Sequence, residues 1–355
     1  MGIHSMRAAL PFAGMVMVIL VQVSNMVVIK EAMSKGINKY VIVVYSDALS
    51  CLIFLFSSLA IHRSERPRMT ILILCKMFLL SAFGCSADIF SYIGLQYSSP
   101  TLNTAMINLV PAFTFVLAVS FRMEKLNWRS KSSQAKSLGT LVSIAGAFVV
   151  TFYEGPTIIR RLTATDTTSL DEQLLSPQSN WILGGFFLAI EAFLLSAWYI
   201  LQALVLKEFP ALSITLFFQS LFGTILSTIF TLIMVTDPSA WKLRPDIGLF
   251  AIVYSSVIRD SFQTSLLLWC LMRIGPLYVS MFKPLSIVFS ILMGVIILGE
   301  QLFLGSLIGA VIIITGFYAV MWGRAKEQNT IHDSGVRSSE SSGEKLPLLQ
   351  NSAEE

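Results

Sequence analysis

The sequence predicts an all-α membrane protein: ten transmembrane helices arranged as two inverted five-helix repeats. Three observations carry that reading: the composition, the length of the apolar runs, and an internal repeat. Of 355 residues, 55% are hydrophobic and only 13% charged, with a mean hydropathy of +0.73. Ordinary soluble domains carry about 25% charged residues. A helix needs about 20 mostly apolar residues to cross a hydrocarbon layer roughly 30 Å thick. The chain offers such runs at approximately 10–29, 41–61, 71–94, 101–121, 137–153, 181–205, 212–235, 247–270, 276–298 and 302–322. They are continuous rather than alternating, so helices rather than barrel strands satisfy the backbone in lipid.

The first run, from Ala8 to Ile29, is longer than the 7–15 residues of a signal-peptide core. It reads as a retained helix. The third is interrupted by Lys76 and Asp88. The fourth carries Asn108 and Pro111, the sixth Glu191, the eighth Arg259-Asp260, and the ninth Lys283-Pro284. The fifth and tenth bear small-residue stripes, Gly139-x-x-x-Ser143-x-x-x-Ala147 and Gly305-x-x-x-Gly309, which let helices approach closely. They predict packing of helix 5 on helix 10, leaving a homodimer seam open. The four cysteines all fall inside runs and read as free thiols.

With the N-terminus inside, the inner side collects Arg7, Arg63, Arg66, Arg68, Arg122, Lys125, Arg129, Lys131, Lys136, Lys207, Arg273, Arg324 and Lys326. The outer loops hold fewer basic residues, among them Lys30, Lys35, Lys39, Arg160, Arg161, Lys242 and Arg244. This bias orients membrane proteins and predicts both termini in the cytoplasm, hence an even number of crossings.

An offset of 172 positions superposes Ser24 on Ser196, Lys35 on Lys207, Asp88 on Asp260 and Phe90 on Phe262. With small slips it also relates Pro111 to Pro284, the Glu124 turn to the Glu300 turn, and Gly139/Gly146 to Gly309/Gly316. Each half has five crossings, so the second copy enters the membrane inverted. Such repeats mark secondary transporters, with the substrate near the midplane. The predicted organisation is a first repeat at 8–154, an outer polar linker at 155–180, a second repeat at 181–323 and a disordered cytoplasmic tail at 324–355.

Several motifs resemble one known family. Ser99-Pro100-Thr101-Leu102, Asn108-Leu109-Val110-Pro111-Ala112-Phe113 and Phe121-Arg122-Met123-Glu124 are similar to the first-half signature of plant WAT1-related (nodulin-21-like) proteins. Gly275-Pro276, Phe282-Lys283-Pro284-Leu285, Leu298-Gly299-Glu300 and Gly316-Phe317-Tyr318 resemble its second half. The resemblance spans nearly all of 8–327. It implies two EamA modules of the drug/metabolite transporter superfamily and a facilitator of amino acids, or of auxin-like organic anions, at a plasma or vacuolar membrane. The chain departs from it at Tyr45-Ser46-Asp47, where a basic residue is expected after the tyrosine.

Ionisable groups inside a membrane span are functional candidates by default. Asp88 and Asp260, matched by the repeat, are expected to approach a central cavity from opposite sides, receiving a substrate ammonium or a coupling proton. Internal ion pairs with Lys76, Arg259 or Lys283 are the structural alternative. Arg259 and Lys283 suit a substrate carboxylate. Adjacent residues on an α-helix point about 100° apart, so Arg259 and Asp260 are not expected to share a partner. Asn108 is a candidate polar contact, and Pro111 and Pro284 are expected to break their helices beside the cavity.

No phosphate loop, nucleophile–histidine arrangement or zinc-type cluster occurs in the sequence, so neither enzyme activity, a cofactor, a metal nor a nucleic-acid partner is expected. The expected partners are a small-molecule substrate and the lipid bilayer. In the tail, Glu344-Lys345-Leu346-Pro347-Leu348-Leu349 resembles an acidic dileucine motif, with Glu344, Leu348 and Leu349 as contacts for a sorting adaptor. The rival to transport is a membrane scaffold or receptor.

Overall fold

A computed structural model describes residues 3–61, 69–97, 100–123, 130–153, 155–159, 181–243, 246–293 and 302–343. Crossings 1, 2 and 3 are α1 (Ile3–Ser34), α2 (Lys39–Ile61) and α3 (Ile71–Tyr97). Crossing 4 is split into α4 (Pro100–Ile107) and α5 (Val110–Ser120), and crossing 5 is α6 (Lys131–Phe152). Crossings 6 and 7 are α7 (Trp181–Glu208) and α8 (Leu212–Met234). Crossing 8 runs from α9 (Ile247–Tyr254) through a π-helical stretch, Ser255–Gln263, into α10 (Thr264–Ile274). Crossings 9 and 10 are α11 (Pro276–Met293) and α12 (Leu304–Gly343). Eight of these helices are long and apolar enough to cross a membrane unaided. The other two crossings are the interrupted ones, 4 and 8.

The packing carries the symmetry. Crossings 2 and 7, 4 and 9, and 5 and 10 each pack on their own counterparts. Crossing 3 lies against 6 and 7, as crossing 8 lies against 1 and 2. Exchanging the halves therefore maps the main contacts onto themselves, and this is the inverted-repeat architecture.

The seam between crossings 5 and 10 shows why both halves need glycine. A Cβ on Gly316 would lie 2.5 Å from the Ser143 amide nitrogen, and one on Gly139 would lie 2.6 Å from the Gly316 carbonyl oxygen. Ser143 Oγ donates to the Ile313 carbonyl at 3.2 Å, and Ser132 Oγ donates to that of Gly323. The small-residue stripes are thus consumed inside the molecule. At one end of this seam the chain pairs Thr157–Ile159 (β1) antiparallel with Leu302–Phe303 (β2).

Helix ends follow local chemistry. Asp246 caps α9 by accepting from the Gly248 amide at 2.8 Å, and Ser130 caps α6. Gly275, at φ +84°, turns the chain between α10 and α11, a conformation favoured only for glycine.

Two expectations need correction. Residues from Arg324 do not form a disordered tail as far as they are described: α12 continues to Gly343. A helix already nucleated in the span extends with little further penalty. Pro284 sits inside an uninterrupted α11 rather than at a break. Proline is tolerated there because neighbouring helices re-satisfy freed backbone groups. Among the described residues the cysteines are free, as expected. Glu124, Glu300 and the motif Glu344, Leu348 and Leu349 lie outside the described residues, as does most of the 155–180 linker.

Candidate functional site

The centre of the bundle holds a cluster of charges drawn from both halves. Its hub is Arg259, in the π-helical stretch of crossing 8. Its Nη1 lies 3.1 Å from Asp260 Oδ1, and it interacts electrostatically with Asp47 of crossing 2 and Asp88 of crossing 3. Arg259 and Asp260 are not expected to share a third partner; here the two neighbours are partners of each other.

The π turn itself is stabilised by hydroxyls. Ser261 Oγ donates to the Ser256 carbonyl, five residues back, at 2.8 Å. Ser50 Oγ of crossing 2 reaches the same carbonyl at 3.3 Å, and Thr264 Oγ1 reaches that of Arg259. Widened helical turns of this kind recur at functional sites. Ser46 and Ser50, both buried, face the Asp260 carboxylate, whose Oδ2 accepts no hydrogen bond.

Asp88 is brought to the same place from a regular α-helix. Its side chain is exposed to solvent although its charged neighbours, Arg259, Asp47 and Glu191, belong to crossings 8, 2 and 6. Asp47, the residue that departs from the family pattern, accepts from Ser227 Oγ of crossing 7 at 3.3 Å. Tyr40 packs on Tyr92 with the rings tilted by 31° and their centroids 4.3 Å apart, and Lys39 Nζ lies 5.5 Å from the Tyr92 ring.

Two members escaped sequence reasoning. Glu191 of crossing 6 is only 7% exposed, lies near Ser91, one turn beyond Asp88, and leaves Oε2 without a donor. It has no counterpart in crossing 1, so the repeat gave no signal for it. Asp47 was legible only as an oddity.

Lys283 sits apart from the arginine. It lines a cleft of about 60 Å³ with Gln22, Tyr199, Gln263, Phe282 and Ser286. That is small beside the roughly 300–1,000 Å³ of ligand pockets, so any substrate must widen it. Among the described residues Lys283 forms no ion pair with Asp88 or Asp47; it acts electrostatically on Glu191. Lys76 bonds Glu208 at 2.5 Å rather than Asp88.

Asn108 is buried at the break between α4 and α5. Pro111 begins the new helix instead of kinking an old one, a position where its missing amide is harmless. Ser196 Oγ of crossing 6 donates to the Val110 carbonyl at 3.0 Å, fixing the break against the neighbouring helix. Neither Pro111 nor Pro284 lines the Lys283 cleft. Among the described residues no group of three or more metal-type ligands occurs.

Comparison with known proteins gives a consistent answer. Residues 182–322 match the EamA-like transporter family. WAT1-related protein At3g28050 of Arabidopsis thaliana is 43% identical over 97% of this chain and 96% of its own. WAT1-related protein At5g40240 of the same plant is 43% identical over 90% of this chain and 88% of its own. A solved crystal structure with 14% identity superposes with a TM-score of 0.65 over 91% of this chain and 99% of that one, a likeness of fold.

Proposed function

The chain belongs to the WAT1-related proteins, EamA-type members of the drug/metabolite transporter superfamily, and is a multi-pass membrane transporter; from that premise we propose that it carries small zwitterionic metabolites, amino acids first among them, by alternating access. One observation supports this choice of substrate. Around the central cluster four carboxylates (Asp47, Asp88, Glu191 and Asp260) face three cations (Arg259, Lys283 and Lys39). Uncompensated charge inside a membrane costs several kcal/mol. A centre with surplus carboxylate favours a ligand that brings an ammonium group, and its cations suit a carboxylate on the same ligand.

An organic anion of the auxin type would meet this surplus as repulsion, although the Lys283 cleft offers it one favourable contact. Counterflow in proteoliposomes separates the readings. Labelled neutral amino acids should exchange, while labelled indole acetate should exchange poorly at both pH 5.5 and pH 7.5. Exchange of indole acetate alone would replace the amino-acid reading with the anion reading. No exchange of any compound would favour a scaffold or receptor.

Both termini are assigned to the cytoplasm on the loop charges, and Glu344, Leu348 and Leu349 to an adaptor contact that sends the protein to the vacuolar rather than the plasma membrane. A tagged Leu348→Ala, Leu349→Ala protein should shift towards the cell surface. Unchanged distribution would remove the motif.

A further inference from the structure

We propose that the cleft beside Lys283 is the subsite for the carboxylate group of the transported ligand. Lys283 supplies the charge, and the Gln22 amide and Tyr199 hydroxyl supply further hydrogen-bond donors. The proposal rests on the transport reading above and deepens it by deciding which interior cation meets the ligand.

Arg259 is the weaker candidate. Its Nη1 lies 3.1 Å from Asp260 Oδ1, so its charge is answered within the protein. Lys283 is half-buried in crossing 9, and its ammonium group forms neither an ion pair nor a hydrogen bond among the described residues. An unanswered charge inside a membrane span is costly and marks a ligand or ion pathway.

The cleft gathers polar groups from four crossings around one space. Gln22 comes from crossing 1, Tyr199 from crossing 6, Gln263 from crossing 8, and Lys283 and Ser286 from crossing 9. No acidic residue lines it. The Ser286 hydroxyl is already engaged, donating to the Lys283 carbonyl at 2.6 Å. Neither the Tyr199 hydroxyl nor the side-chain amides of Gln22 and Gln263 form a hydrogen bond among the described residues, and Gln263 Oε1 is buried. Interior polar groups are normally hydrogen-bonded, so a convergent unpartnered set asks for an explanation. This set is rich in N–H and O–H donors and carries positive charge. A carboxylate, which only accepts, is its complement.

Size and wall chemistry narrow the ligand further. At about 60 Å³ the cleft takes the head of a ligand rather than the whole of it. Val18, Ile19, Leu267 and Phe282 complete the wall, so carbons next to the carboxylate meet apolar surface. Gln263 Oε1 gains the donor it lacks from an N–H beside the carboxylate, which a 2-amino group supplies. The set is not duplicated. By the repeat offset Gln22 answers to Leu194, and with the slip that pairs the prolines Lys283 answers to Val110. One carboxylate per molecule is therefore expected.

Ligand-dependent melting of the full-length protein in detergent tests the assignment, with leucine, 4-methylpentanoate and 3-methylbutylamine as probes. The second lacks the ammonium group of leucine and the third lacks its carboxylate. Wild-type protein should be stabilised by leucine and, at higher concentration, by 4-methylpentanoate. Lys283→Gln should raise the half-saturating concentration of both carboxylates about tenfold or more and leave the response to the amine unchanged. Lys283→Arg, which keeps the charge, should keep the preference for carboxylates. Gln263→Leu should weaken leucine about threefold and 4-methylpentanoate less. Wild-type responses to both carboxylates in Lys283→Gln would overturn the subsite, as would equal weakening of all three probes or no response of wild-type protein to either carboxylate. Counterflow of labelled leucine in proteoliposomes, run alongside, keeps the two readings apart. Binding that depends on Lys283 without any counterflow would sink the transport reading alone. Counterflow unchanged in Lys283→Gln would sink the carboxylate subsite alone.

Discussion

Crossings 3 and 8 hold equivalent places in the two halves but present their aspartates in different ways. Crossing 3 is α-helical from Ile71 to Tyr97, and Asp88 is exposed, with no ion pair among the described residues. Crossing 8 widens into a π turn at Ser255–Gln263, and Asp260 is fixed on Arg259 with only 14% of its side chain exposed. Crossings 4 and 9 diverge likewise: one is broken before Pro111, the other runs unbroken through Pro284. Duplication supplies matched positions. Divergence then fixes one member of the pair on Arg259 and leaves the other without an ion pair among the described residues.

Removing Arg259 breaks this contrast most severely. In Arg259→Met, three carboxylates lose their common cation. Counterflow should fall about 100-fold, equivalent to roughly 2.7 kcal/mol on the barrier. Breaking a fully buried pair costs about 3–5 kcal/mol. The Arg259 side chain is 42% exposed, so a stability loss of about 1–3 kcal/mol is expected, read as a lower melting temperature in detergent. Arg259→Lys should recover only part of the activity, because an ammonium cannot reproduce the guanidinium fork. Full activity in Arg259→Met would mean that the hub is incidental.

The next test uses the region where the halves remain alike. Gly139→Val and Gly316→Val each drive atoms into backbone across the seam of crossings 5 and 10. Overpacking of this kind costs about 1–3 kcal/mol. The two variants should melt at similar, lowered temperatures. A large inequality would show that divergence has reached the seam as well.

How much of this was legible in the sequence depends on which physics each feature obeys. Apolar run length revealed the crossings because lipid imposes it directly. Glycine spacing revealed the seam because backbone contact admits no Cβ. The π turn left no trace: Ser255-Ser256-Val257-Ile258 reads as ordinary helix, and the widening depends on hydroxyl partners such as Ser50 from another crossing. Asp88 and Asp260 were found because the repeat pairs them. Glu191 and Asp47 were not assigned to the cluster because neither has a partner at the repeat offset. The break at Asn108–Leu109 precedes the proline that announces it, since Pro111 starts a helix there.

A third experiment compares the paired aspartates themselves. Asp260→Asn removes the nearest partner of Arg259 and should destabilise the protein by about 1 kcal/mol or more. Asp88→Asn breaks no ion pair and should change stability by less than about 0.5 kcal/mol. The difference between the two melting shifts is the quantity of interest. Equal shifts would restore the symmetry that the π turn is held here to have broken.

The smallest effect belongs to Lys76 and Glu208, which join crossings 3 and 6 at 2.5 Å. By the repeat offset their counterparts are Gly248 and Gly36, where no ion pair can form and a Cβ on Gly248 would press on Ile37. One end of the bundle is thus tied by charge and the matching end by the Ile37 side chain packed on Gly248. Lys76 and Glu208 are 29% and 52% exposed, and such pairs contribute about 0.2–1 kcal/mol. Lys76→Met should lower stability within that range, and the exchange Lys76→Glu with Glu208→Lys should restore it. Counterflow should change less than about threefold. A larger change in Lys76→Met, reversed by the exchange, would make this pair a gate that opens during transport rather than a strut, and the two ends of the molecule would then differ in mechanism as well as in chemistry.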